Sequence, residues 1–313
     1  MYIVTGAAGF IGSNLVHHLN VRGDREIVAV DDLKQGDKFR NLRDCDIADY
    51  VNLREFRDLI RQDQNPWGRV LAVFHQGACA DTTESDGRFM MDNNYTFSKE
   101  VLHWCLERRV PLVYASSASV YGTGATCVEE PAYEAPLNVY AYSKLQFDRH
   151  VRRLLTSAES TVVGLRYFNV YGPRETYKGR MASMVWQLHR QLEAEGVCRL
   201  FEGTDGYDAG EQRRDFVFVG DVVAVNLFFA SGGVKRGVYN VGTGESRSFN
   251  DIARILIERR GGQGRIEYIP FPESLRGKYQ SFTQADIGRL RAAGYDRPFA
   301  SLEDGIRQMV GAA

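Results

Sequence analysis

Tyr2-Ile3-Val4-Thr5-Gly6-Ala7-Ala8-Gly9-Phe10-Ile11-Gly12 opens the chain, and a helical pattern follows directly over residues 13–19. Glycines at 6, 9 and 12 allow a tight turn, a close backbone approach to a pyrophosphate and the packing of a helix against a strand. The anion then lies at the helix N-terminus. A second β-rich run, 27–30, leads to Asp31, 19 residues beyond Gly12. A glycine turn between a first strand and a first helix, with an acid at the end of the next strand, is the pattern of a dinucleotide-binding unit. Gly6, Gly9, Phe10, Ile11 and Gly12 are therefore candidate cofactor contacts, with Asp31 and its neighbour Asp32 at the ribose. Asp31 alone favours NAD, because a carboxylate accepts from a ribose hydroxyl. Lys38 argues for NADP, since an ammonium suits a 2′-phosphate, and on these residues the choice stays open.

Working outward, β-rich runs at 70–75, 112–115 and 161–166 alternate with helical patterns to about residue 167. That rhythm predicts an α/β fold built on a doubly wound parallel sheet. Residues 70–74 are continuously apolar, as a central parallel strand covered on both faces requires. After His75, the run Gln76, Gly77, Ala78, Cys79 and Ala80 has small side chains that leave room for a dinucleotide, and Asn93 is a polar candidate on the next helix.

Ser116 and Ser117 follow the 112–115 run at the carboxyl edge, where doubly wound sheets place ligands. Tyr140-Ala141-Tyr142-Ser143-Lys144 begins a helix after Pro136, with Asn138 as its cap, and the four-residue spacing puts Tyr140 and Lys144 on one face. A phenol titrates near 10, so acting as a base at neutral pH needs a nearby cation, which Lys144 can supply. Ser117 can donate to a developing alkoxide. The expected centre is thus Tyr140, Lys144 and Ser117.

With 44% hydrophobic and 25% charged residues the chain can bury a large core, and a net charge of -1 gives no global attraction to nucleic acid or anionic lipid. The five cysteines are scattered without a C-x-x-C pair, which suits a reducing compartment and suggests no metal site. No run approaches the roughly 20 apolar residues of a membrane span, so a cytoplasmic protein without a membrane partner is expected. Residues 1–170 read as the dinucleotide domain and 171–313 as a smaller α/β substrate lobe, with a helix over 182–195, a loop over 203–212 and a helix over 249–259. The strand-like run 238–241 suggests that elements between about 215 and 260 return to the first domain.

The glycine turn, strand-end serine and Tyr140/Lys144 pair, in this order, resemble the extended short-chain dehydrogenase/reductase family. Met90-Met91-Asp92-Asn93-Asn94-Tyr95, the run from Arg166 to Glu175, Phe201-Glu202-Gly203, Arg214-Asp215-Phe216 and Gly277-Lys278-Tyr279-Gln280 narrow the resemblance over nearly the whole chain. They are similar to the family's nucleotide-sugar 6-epimerases that act on an ADP-linked heptose for the lipopolysaccharide inner core. The resemblance implies inversion of a carbinol through a ketone, with tightly bound NADP. Tyr140 and Lys178 would serve the two stereochemical presentations, and Lys144, Val170 and Lys178 would touch the cofactor. It also implies Ser117, Asn169, Arg180, Gln187, Phe201, Glu202, Gly203, Thr204, Arg214 and Tyr279 at the nucleotide sugar, Arg214 being suited to clamp a diphosphate. A ring-like homo-oligomer, such as a pentamer, is implied as well.

The sequence departs from that pattern at Gln187, where a histidine is expected, at Leu53, where a lysine near the 2′-phosphate is expected and Arg54 is a substitute, at Arg180, and in a longer 205–212 loop. Two other activities compete. A UDP-hexose 4-epimerase would use the same serine, tyrosine and lysine, whereas a non-catalytic dinucleotide sensor would have no need to keep them in register. A 4,6-dehydratase is disfavoured, because Ser117-Ala118-Ser119 lacks the carboxylate that elimination of a hydroxyl requires.

Overall fold

Seven parallel strands form the main sheet: β1 (Tyr2–Thr5), β2 (Ile27–Asp31), β3 (Asp49–Asn52), β4 (Ala72–His75), β5 (Leu112–Ser117), β6 (Val162–Tyr167) and, after three strands of the second lobe, β10 (Arg236–Val241). The computed structural model describes residues 1–277 and 279–311, so Lys278 of the Gly277–Gln280 run lies outside the described residues. The strand order β10-β6-β5-β4-β1-β2-β3 reverses between β1 and β4. At such a reversal the connections leave in opposite directions and open a crevice beyond the carboxyl ends of the strands.

The strands are buried on both sides, and their alternating residues supply two cores. Val4, Ala29, Phe74, Val113 and Val163 face one layer, with α1 (Phe10–Val21) and α7 (Val219–Ala230) packed over them. Ile3, Val28, Val30, Val73 and Leu112 face the other, under α2 (Leu53–Arg61), α4 (Phe97–Glu107) and α5 (Val139–Leu154). A short helix, α3 (Gly87–Met91), and a π-helical turn, Asp92–Thr96, precede α4.

The second lobe comprises β7 (Asn169–Tyr171), α6 (Met184–Glu195), β8 (Val197–Phe201), β9 (Arg213–Phe218), β11 (Ser246–Ser248), α8 (Phe249–Arg259) and β12 (Arg265–Ile269). These make a three-stranded sheet, β11-β9-β7, and a two-stranded sheet, β12-β8, around a core that α10 (Leu302–Gly311) completes. Of residues 215–260, α7 and β10 join the main sheet, whereas β9, β11 and α8 stay with the small lobe. Among the described residues no helix is long and apolar enough to cross a membrane.

At the end of β4, His75 is buried between Thr5 Oγ1 at 2.7 Å and Ser98 Oγ at 2.9 Å. Burial lowers its pKa to about 3, with Lys144 adding to the fall. Its unfolded form binds a proton below about pH 6.5 that the folded form refuses, so this residue makes stability fall as pH drops from 6.5 toward 3. Roughly 2 kcal/mol should be lost between pH 7 and pH 5. Denaturant titrations at the two pH values should show a smaller gap for His75→Gln than for the wild type.

Candidate active site

β1 ends in a turn that only glycine can make here. Gly6 has a φ of +64°, and a Cβ on it would stand 2.7 Å from the Cα of Gly77 in the chain leaving β4. A Cβ on Gly12 would stand 2.1 Å from the carbonyl oxygen of Gly6. The N-cap of α1 is Gly9, which offers no side-chain acceptor, so the first amides of the helix must find partners from elsewhere. Phe10 N–H donates to the Tyr177 hydroxyl at 2.8 Å, a contact from a residue 167 positions away. A helix start without a side-chain N-cap and a floor without Cβ atoms fit the pyrophosphate of a nicotinamide dinucleotide.

Asp31 ends β2 almost fully buried, and its carboxylate is engaged. It accepts from the N–H groups of Ala8 at 3.0 Å, Asp32 at 2.9 Å and Leu33 at 3.3 Å, and from Lys38 Nζ at 2.5 Å. Lys38 also reaches Asp32 at 3.5 Å, so one cation stands where Asp31 and Asp32 would otherwise present only negative charge. Gln76, by contrast, spends its side chain inside the protein, accepting from Tyr167 Oη at 2.9 Å and donating to Asn226 at 3.0 Å.

The loop after β4 is held by Asn94 rather than by its neighbour Asn93. The buried Asn94 amide accepts from Cys79 N–H at 2.8 Å and donates to Cys79 O at 3.0 Å and Ser143 Oγ at 3.1 Å. Asn93 donates to Asn94 Oδ1 at 3.0 Å. Both belong to the π-helical turn, a local widening that turns side chains out of ordinary helical register.

Asn138 caps α5 by accepting from Ala141 N–H at 2.8 Å, which starts the helix just ahead of Tyr140. Burial raises the pKa of the Tyr140 phenol, and the neighbouring Ser117 hydroxyl opposes that rise. Ser119 donates to Ser117 Oγ from its hydroxyl at 2.9 Å and its backbone N–H at 3.2 Å, leaving the Ser117 proton free to point elsewhere. Lys144 donates to Ala115 O at 2.9 Å, and burial lowers its pKa to about 8, against the opposing pull of Asp148.

Lys178 lies on a 3-10 segment, Thr176–Met181, that spans the crevice. Tyr177 ties the segment to α1, and Arg180 ties it to Thr83 at 2.8 Å and Asp81 at 3.5 Å. Lys178 Nζ sits 5.1 Å from the centre of the Phe10 ring. Burial lowers its pKa, and the carboxylate of fully buried Glu175 counters this in part. Gln187 donates to Ala182 O at 2.7 Å and Arg180 O at 3.2 Å, which fixes the end of the segment.

In the small lobe Arg214 is buried and has no carboxylate partner among the described residues. Its guanidinium lies 4.8 Å from the Tyr279 ring and 5.6 Å from the Phe249 ring, and it donates to Arg213 O at 3.0 Å. Burial pulls even its pKa down. A desolvated, unpaired arginine is costly and marks a place for an anion. Phe201 packs edge-on to Tyr279 at 6.3 Å beside it, and Glu202, Gly203 and Thr204 continue the chain from Phe201. A Cβ on Gly203 would meet Tyr207 O at 2.4 Å, so the longer 205–212 loop folds back tightly on that run. Asn169 and Val170 lie on β7 at the edge of the same lobe.

This combination of sheet, glycine turn and Ser/Tyr/Lys set defines a nicotinamide-dependent epimerase or dehydratase. The chain belongs to the NAD dependent epimerase/dehydratase family, whose model matches residues 2–242. It is 55% identical over 312 residues to the ADP-L-glycero-D-manno-heptose-6-epimerase of Alkalilimnicola ehrlichii, covering 100% of this chain and 97% of that protein. Among solved structures it is similar to the Helicobacter pylori ADP-L-glycero-D-manno-heptose-6-epimerase, at 34% identity and a TM-score of 0.85, over 99% of this chain and 95% of the other. The Thermus thermophilus UDP-glucose 4-epimerase, in complex with NAD, matches at 28% identity and a TM-score of 0.78, over 99% and 97%.

Asn94 is the residue that fixes the loop bearing Cys79, and its truncation isolates that role. Asn94→Ala should cost about 1–3 kcal/mol in a denaturant titration, because Cys79 and Ser143 lose a buried partner. The purified variant should also retain less dinucleotide than the wild type, read from the absorbance of the nucleotide released when the protein is precipitated with acid.

Proposed function

We propose that this chain inverts C6 of the heptose in ADP-D-glycero-D-manno-heptose, giving the L-glycero epimer through a transient ketone, in the synthesis of the lipopolysaccharide inner core. The observation that carries the reading is that two unlike proton-transfer groups border one crevice. Tyr140 comes to it on α5, and Lys178 on the segment strung between α1 and the loop after β4. An epimerase that oxidises one presentation of an alcohol and reduces the other needs a proton acceptor and donor for each.

A nicotinamide dinucleotide bound along the glycine turn supplies the hydride acceptor and donor. Tyr140, as phenolate, takes the proton of the sugar hydroxyl, while Lys144 below it remains mostly cationic at neutral pH and lowers the cost of that phenolate. Ser117, already accepting twice from Ser119, donates to the same sugar oxygen. After the sugar turns its other face, Lys178 returns a proton to the oxygen. Arg214 meets the diphosphate, with Phe201 and Tyr279 beside the nucleotide; Arg180 and Gln187 shape the segment that carries Lys178.

NADP is the preferred cofactor in this reading. The Asp31 carboxylate, which would repel a 2′-phosphate, is covered by three backbone donors and by Lys38. The site of action is the cytoplasm, where five free thiols are kept reduced. The working form is a ring-like homo-oligomer.

Two measurements test these claims. Incubation with ADP-D-glycero-D-manno-heptose, followed by NMR of the C6 epimers, should show turnover. Tyr140→Phe and Lys178→Met should each lose at least about a hundredfold in rate while keeping cofactor bound. Turnover of UDP-glucose with none of the heptose would overturn the substrate. Separately, Lys38→Ala should weaken NADP binding about tenfold or more, the worth of one charge-assisted hydrogen bond, and leave NAD binding nearly unchanged. Equal loss for the two cofactors would overturn the NADP assignment.

A further inference from the structure

Tyr140, Lys144 and Asp148 recur every fourth residue on α5 and so share one face. Each meets β5, which runs the opposite way. Tyr140 has Ser117 as a neighbour, Lys144 donates to Ala115 O at 2.9 Å, and Asp148 accepts from Ser116 Oγ at 2.9 Å and Tyr114 Oη at 3.0 Å. Asp148 is fully buried and takes a further bond from Arg166 Nε on β6 at 2.9 Å. Arg166, buried as completely, has a second carboxylate in Glu134 at 2.5 Å. Arg166 accounts for a buried charge at 148, because Glu134 is shared with Arg152 at 2.7 Å and Arg149 at 3.8 Å, but it does not account for that charge lying on the Lys144 face of α5.

The surroundings of Lys144 supply a reason. Around it are His75 from β4, neutral at physiological pH, the Cys79 thiol from the loop after β4, whose pKa burial raises, the Ala115 carbonyl from β5, and, one turn away to either side on its own helix, Tyr140 and Asp148. Among these described groups Asp148 is the one carboxylate. We propose that Asp148 is a positioning residue for proton transfer at Tyr140: it grips the end of β5 and sets a fixed negative charge behind Lys144, holding the lysine cationic and Ser117 in register with the phenol. The inference rests on the roles proposed above for Tyr140 and Lys144. Burial alone drives the lysine toward its neutral form, and Asp148 is the largest influence opposing that drift. Without it the lysine loses its proton at lower pH, and the phenolate loses its stabilising cation.

The test is the pH dependence of epimerisation by intact, cofactor-loaded enzyme. Asp148→Asn should lower kcat about tenfold or more with little change in KM, and its rate should begin to fall on the alkaline side at a lower pH than the wild type. Tyr114→Phe keeps the carboxylate but removes one of its donors, which concentrates the charge and should move that alkaline fall to higher pH. Thermal melts identify folded variants. Should Asp148→Asn fail to fold, the upward shift in Tyr114→Phe supports the proposal and an unmoved profile overturns it. A folded Asp148→Asn protein with the wild-type pH profile also overturns it. Full activity in Tyr140→Phe would sink the proposed role of Tyr140, a different outcome from an unmoved profile in enzyme that needs Tyr140.

Discussion

Where β1 and β4 lie side by side and their connections part, the two chains touch through bare backbone: Gly6 against Gly77, with Gly12 folded onto Gly6. That contact sets the depth of the crevice. Any side chain on this floor would separate the strand ends or fill the space where a dinucleotide must lie. The start of α1, the Asp31 carboxylate and the small residues after His75 all take their positions from it. The same reversal brings β5 beside β4, and so places the Ser117 end of β5 at the crevice mouth.

Over this floor the protein arranges charge with economy. Lys144 and Arg214 are buried where water cannot support a cation, and among the described residues neither has a direct carboxylate contact. Burial of the two has different consequences. Lys144 is brought down to about 8, where the charge of Asp148 counts, whereas Arg214 stays a guanidinium cation although burial lowers its pKa. The lobe that holds Arg214 is stitched from strands and helices far apart in sequence, and the Thr176–Met181 segment links it physically to α1.

Much of the frame was legible in the sequence because local rules impose it. The glycine spacing, the apolar run into His75 and the four-residue interval between Tyr140 and Lys144 each act over a few residues, and the structure contains the corresponding turn, strand and helix face. The strands differ in length from their apolar runs: β5 continues through Ser117 and β6 through Tyr167, since polar residues at strand ends pair normally while facing a site. β3, with an exposed Asp49 and Tyr50, and β12 of the small lobe carry little periodicity, because edge strands bury only part of their surface. Asn94, Ser119 and Tyr177 went unmarked for another reason. Each acts through a hydrogen bond to backbone or to a neighbour's hydroxyl, which leaves no signature in residue type.

What the sequence determined alone is the chemistry on offer: a turn that must approach an anion by its backbone, a phenol paired with an amine at helical spacing, and a hydroxyl at a strand end. Folding decided which groups meet. Lys38 settles on Asp31, Tyr177 reaches Phe10 across 167 residues, and Asp148 stands behind Lys144 with Arg166 at its other side. These pairings govern charge and proton affinity, and both depend on burial and distance. Neither quantity exists along a chain until the sheet has brought its strands side by side.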